Sequence, residues 1–137
     1  MHSRSITAQV ALPLLVAAVL PALASAHLAT LHLSATVYDG HTSKGVYSSR
    51  EKVDEGSMRI GEDSSSCTKR SSSMVHCVGS YRLTHGTISF AGTISSSSDT
   101  NRLAIIGGTG SYKGARGTVS TEYNRAGIKA KETISFR

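Results

Sequence analysis

Proline is absent from every position after Pro21, and cysteine occurs only twice, at Cys67 and Cys77. The proline-free stretch carries Thr, Ser, Val and Ile at alternating positions. It lacks a sustained apolar stripe at three- and four-residue spacing, which sets helix aside and favours strands throughout. No Gly-x-Ser-x-Gly elbow, His-x-His pair or His-Glu-x-x-His run occurs. With both cysteines in one bridge, serine and cysteine nucleophiles and hydrolase chemistry have no footing. Asn-x-Ser/Thr is missing too, so N-glycosylation is not expected.

An unbroken membrane span is also lacking, because Pro13 and Pro21 interrupt the one apolar run, "ALPLLVAAVLPALASA", which falls short of the roughly 20 apolar residues a span needs. With Arg4 ahead of it and Ala24 and Ala26 behind, residues 1–26 read as a secretory signal peptide cleaved after Ala26. No cysteine follows the cleavage point for lipid attachment, so the expected product is a soluble, secreted single domain of residues 27–137 without stable membrane insertion. Its two cysteines then form a disulfide rather than a metal or redox site. The "TKRSSS" run between them suits a bridge across a hairpin.

Removing Arg4 and no acid leaves 14 basic and 9 acidic side chains, a formal charge of +5. The basic residues are scattered without aromatic interleaving, so nucleic acid is not an expected partner. A loosely anionic surface such as cell wall stays compatible with that charge.

Strands are expected at Leu31–Val37, about 45–53, around Met58 and Ile60, 64–69, 74–83, 86–94, before Gly107, from Gly117 to Tyr123, and along "GIKAKETISF". The first is expected to stop at the turn-rich "DGHTSKG". Serine runs 64–66, 71–73 and 95–98 read as solvated loops. About eight short strands at close spacing suggest a closed barrel or a sandwich.

The glycine-rich "LAIIGGTGSYKGARGTV" (Leu103 to Val119) invites a phosphate-loop reading, but its order fails. A Walker loop needs GxxxxGK followed by Ser or Thr; a dinucleotide fingerprint needs GxGxxG before a helix. Here Gly108 and Gly110 are followed by Gly114, and then by strand-like residues. The segment is a bend between two strands.

"GGTGSYKGARG" resembles the GGTG–aromatic–basic–x–ARG signature of dirigent proteins, whose barrel is shared with allene oxide cyclases. Cys67, Cys77, Gly79, Tyr81, Leu83, Gly86, Ile88 and Gly92 are similar in order to a pattern of exported bacterial relatives. The likeness covers about residues 53–137, most strongly 77–119. It implies an all-β, antiparallel eight-stranded barrel of calycin-like shape, usually a homo-oligomer (dimer or trimer). Its lumen would hold a small apolar or phenolic molecule whose coupling or cyclisation the protein steers, with no cofactor. By position, Arg116 matches the signature arginine, Lys113 its basic residue and Tyr112 its aromatic one, while Asp39 matches an acid at the end of the first strand. Arg102 stands where plant members commonly carry an acid, with Asp99 nearby but out of register.

From the residues themselves, Glu132 shares parity with Ile128, Ala130, Ile134 and Phe136. If that face lines the lumen, Glu132 can pair with Arg116 or serve as a general acid/base; at a strand edge or mouth it would simply reach water. Tyr81 alternates with Leu83 and can line a pocket, and Phe90 shares a face with Ile88 and Ile94. The candidate catalytic set is therefore Arg116, Glu132 and Tyr81, with Tyr112, Lys113, Phe90 and Asp39 as ligand contacts. No metal is expected, although a mature N-terminus at His27 offers an amine and imidazole that can chelate copper. Two other functions fit the same features: a non-catalytic, lipocalin-like carrier, with an all-apolar lumen, and a cell-surface interaction protein, with a filled barrel.

Overall fold

The alternating segments pair in chain order. In the computed structural model, which describes residues 30–98 and 100–137, β1 (Leu31–Ser43), β2 (Val46–Glu55), β3 (Met58–Lys69) and β4 (Met74–Leu83) are followed by β5 (Gly86–Ser95), β6 (Thr100–Gly108), β7 (Gly117–Tyr123) and β8 (Lys129–Phe136). Every neighbour is antiparallel, and β8 returns to β1 to close an eight-stranded barrel. This is the all-β, eight-stranded barrel that the family resemblance implies, where strand alternation alone left a sandwich open. The signal peptide, His27 and Asp99 lie outside the described residues.

Local turn chemistry explains the simple order. Between β1 and β2 only Lys44 and Gly45 intervene, at φ 48° and 77°, the paired left-handed conformation of a two-residue hairpin turn whose twist matches the strands it joins. Thr84 and His85 link β4 to β5 with equal economy.

Three expectations change. β1 does not end before "DGHTSKG" but runs to Ser43, because a bulge at Tyr38 shifts the register between Val37 and Asp39 and lets Asp39–Ser43 pair with β2. Ser64–Ser66 form part of a continuous β3 rather than a loop: Ser65 faces inward and its hydroxyl lies 2.9 Å from that of Ser49 on β2. Ile128 leaves the apolar face of β8 and is exposed, since its amide is held in the preceding turn by the Asn124 side chain, 3.0 Å away.

Side chains at alternate positions fill the barrel. Leu33, Ala35, Val53, Ile88, Phe90, Val119 and Ile134 are buried, as period-two strands closed into a small barrel require. The end reached by β4 and β6 is shut by the glycine segment. Thr109 and Ser111 donate their amides to the Thr87 and His85 carbonyls, each at 2.9 Å, so these N–H groups are spent on the protein and not on a phosphate. Tyr112, in a short 3-10 turn (Gly110–Tyr112), is buried and stacks on Phe136 at 6.0 Å. Gly110 itself sits at φ 59° with its Cα side hard against the His85 carbonyl, where a Cβ has no room. The segment is a bend, and also a plug.

The bridge Cys67–Cys77 joins directly paired positions on β3 and β4, with Cys77 buried. Its short loop constrains the unfolded chain by about 2.5–3 kcal/mol on the chain-entropy estimate. Replacing both cysteines by serine should lower the free energy of unfolding by that order, plus a smaller cost for a buried hydroxyl; a denaturation midpoint matching the parent's would show that the bridge adds no stability.

Candidate active site

Strand parity carries acids inward as well as apolar groups. On β2, Ser49, Glu51 and Val53 point into the barrel; Asp63 lies opposite Glu51 on β3, and Tyr81 lies opposite Asp63 on β4. Across the closing seam, Glu132 on β8 lies opposite Leu33 on β1 and Thr121 on β7. Glu51, Asp63 and Glu132 are 2%, 4% and 4% exposed, and a carboxyl oxygen from each falls within 4.8 Å of the others. Thr121 donates to one Glu132 oxygen at 3.5 Å. One oxygen of each acid has no hydrogen-bond partner among the described residues.

Three ionised carboxylates at that spacing would repel by about 3 kcal/mol per pair even at an effective dielectric near 20, before any desolvation cost. The barrel therefore retains protons on them. Burial, then the Glu132 and Glu51 charges, pushes Asp63 up to about 9. Burial and the Glu51 charge push Glu132 up to about 7, against the lowering pull of the Tyr81 and Thr121 hydroxyls. Glu51 is raised by burial, partly offset by Ser49. The Tyr81 phenol is held well above its ordinary value by burial and by Glu132 and Asp63, so it stays a hydroxyl. Near neutral pH the cluster holds a protonated acid, Asp63, beside a carboxyl poised to gain or lose a proton, Glu132. That combination serves general acid/base catalysis. Glu51, Asp63 and Glu132 are also the described residues with the spacing to share a hard cation.

Above the cluster the barrel is open. A cavity of about 500 Å³ occupies the end opposite the plug, with Tyr47, Cys67, Val75, Ile94, Asn101 and Tyr123 among its walls. Its size suits a small organic molecule. Tyr123 lines this cavity and feels the acids: burial first, then Glu51, Glu132 and Asp63, raise its phenol's pKa. Another hollow, of about 420 Å³, is lined mainly by outward side chains such as His32, Ser34, Glu122 and Lys131 and belongs to the outer wall.

Of the residues singled out in the sequence, Tyr81, Glu132 and Phe90 meet in the lumen. The Tyr81 and Phe90 rings lie 5.2 Å apart. Glu132 occupies neither an edge nor a mouth. Arg116 is not its partner: the guanidinium lies outside the barrel, donating to the Ile106 and Ala115 carbonyls at 3.0 and 2.8 Å, where it clasps the plug. Tyr112 belongs to that plug, Lys113 is exposed on it, and Asp39 is exposed opposite Arg50. Glu51 and Asp63 were missed because "SREKVDE" and "GEDSSSC" look like solvated charge. The available signal was parity: counting back in twos from Cys67 reaches Ser65 and Asp63.

Stability should carry the imprint of these protons. Folded carboxyls with raised pKa values bind more protons than the unfolded chain above about pH 4, so folding free energy is fully present below that point and falls as pH rises through about 7 and 9. Thermal midpoints should thus decline from pH 5 to pH 9, and Asp63→Asn should flatten the decline; a midpoint rising across that interval contradicts the protonated cluster.

The family model described as the allene oxide cyclase barrel-like domain matches residues 35–130, and the chain belongs to that family. No curated protein matches it in sequence. Among solved structures it is similar to a pyocyanin demethylase, with a TM-score of 0.66 and 18% identity over 77% of this chain and 98% of that one. It is also similar to two pterocarpan synthase dirigent proteins. One has a TM-score of 0.64 and 17% identity over 77% of this chain and 84% of that one; the other has 0.58 and 16% over 79% and 92%.

Proposed function

We propose that this member of the allene oxide cyclase barrel-like family is a secreted, dirigent-like barrel that binds a small organic molecule in its lumen and steers a proton-coupled conversion such as a cyclisation. One observation carries the reading: three carboxyls and a tyrosine hydroxyl converge inside the closed barrel, beneath a cavity of about 500 Å³. A carrier would keep an apolar lumen, because a buried carboxyl without a partner costs stability and adds nothing to storage.

In this reading the Asp63 carboxylic acid gives its proton to the oxygen of an electrophilic ligand, and the Glu132 carboxylate takes one from the attacking hydroxyl. The ring closure then leaves the ligand's atoms unchanged in number, and the proton returns from Glu132 to Asp63. Tyr81, its hydroxyl kept protonated, orients the carboxyl it faces. Phe90 and the walls restrict the ligand to one folded shape, which is where orientation alone accelerates a reaction. Export is supported by the leader-like residues 1–26 and by the disulfide. The neighbours' names, a demethylase and synthases, are enzyme names and lean the same way.

Native mass spectrometry of the protein captured from secretion medium, parent beside Asp63→Asn, tests this. A non-covalent organic adduct is expected on both, with chromatography of the released compound showing an unconverted isomer on the variant. Two empty chains overturn the reading, and one identical compound from both reduces it to carriage.

A further inference from the structure

We propose that the Cys67–Cys77 bridge is a thiol-exchange site, reached through the open-end cavity, at which a small anionic thiol attacks the Cys67 sulfur and becomes disulfide-linked to it. This goes beyond the reading above and needs only the cavity, not the acid/base chemistry. The two halves of the bridge have unlike surroundings. Cys67 continues the inward parity of Asp63 and Ser65, is half-buried, and forms part of the wall of the cavity of about 500 Å³. Cys77 is 2% exposed and packed within the apolar core. A reagent in the cavity therefore meets one sulfur and not the other, and the fold fixes the direction of attack.

Charge and pairing favour the same step. Lys69, the next inward position of β3, is the one charged side chain on that wall among the described residues, and no carboxylate joins it there. A thiol reacts as its thiolate, and a carboxylate on the same molecule adds to the pull of Lys69 and of the net positive chain. Thr42, Ser72 and Ser96 put hydroxyls on the wall, and the volume admits molecules up to a short thiol peptide. In the exchange the thiolate forms a bond to the Cys67 sulfur as the Cys67–Cys77 bond breaks. The electron pair passes to the Cys77 sulfur, which takes up the proton the incoming thiol gave to solvent, since burial disfavours a thiolate there. One thiol and one bridge thus become one mixed disulfide and one Cys77 thiol, with no oxidant consumed. β3 and β4 stay paired from Gly61 with Leu83 to Lys69 with Val75, so the barrel stays closed while the bridge is open. Cys77 then remains opposite Cys67, placed to expel the thiol and restore the bond. The bridge is a staple for the hairpin and also a reversible attachment point.

The native, bridged chain can be held at about pH 8, where thiolate is available, in a buffer of reduced and oxidised glutathione, then quenched in acid and analysed intact and as peptides. A fraction should carry one glutathione, on Cys67, with Cys77 as a thiol. Anionic 3-mercaptopropionate should open the bridge at least about threefold faster than cationic cysteamine, each rate taken relative to the same thiol's rate on the denatured chain, and Lys69→Glu should reverse that order. Single-cysteine chains locate the site independently: the Cys67 left by Cys77→Ala should take glutathione from its disulfide at least about tenfold faster than the Cys77 left by Cys67→Ala. Glutathione found on Cys77, or a bridge that opens only in denaturant, overturns the exchange site. Equal relative rates for the two small thiols overturn its selectivity for an anionic thiol.

Discussion

The pairing of β8 with β1 is the contact on which the remaining structure depends. Six residue pairs, from Leu31 with Ile134 to Thr36 with Lys129, turn an open meander into a barrel. Only closure gives the strands an inside, and only an inside can bury carboxyls from β2, β3 and β8 together. Register is decisive, since a one-residue slip at this seam would carry Glu132 to solvent and Lys131 into the core. Apolar residues on both sides, Leu33, Ala35, Ala130 and Ile134, hold the register because they can be buried in no other way.

The barrel is built unequally along its axis. One end is packed with Ile88, Ile105, Tyr112 and Phe136 and shut by the glycine segment; the other opens on a cavity rimmed by tyrosines and serines. Between them sits a polar layer that opposes folding. Burying three acids without a counterion is destabilising, and the hydrophobic end, the disulfide beside the cavity and the closed hydrogen-bond ladder offset that cost. Buried titratable groups with shifted pKa values of this kind concentrate at functional sites.

Strand number, most turn positions and the bridge were legible in the sequence because each has a local cause: alternation, Gly-containing turns, two cysteines on facing arms. Glu132 stood out because its strand neighbours are apolar. Glu51 and Asp63 did not, since Lys52, Glu62 and the serines around them mask the inward parity with outward charge. Their role appears only when β2 and β3 are placed against β8, a nonlocal fact. The Tyr38 bulge was hidden for a related reason: parity reverses there, and "DGHTS" reads as a turn when its pairing with β2 is not in view. The signature "ARG" marked a fold element more than a lumen group, as Arg116 fastens the plug from outside.

The direct measurement is the titration of the carboxyls themselves. Carbon-13 labelling of aspartate and glutamate side chains, followed by NMR from pH 3 to pH 10, separates the nine acidic residues. Asp63 and Glu132 should still be changing state near pH 9 and pH 7, well above the ordinary carboxyl range. If all nine have lost their protons by pH 5, the lumen holds no reserve of protons and the acid/base centre described here does not exist.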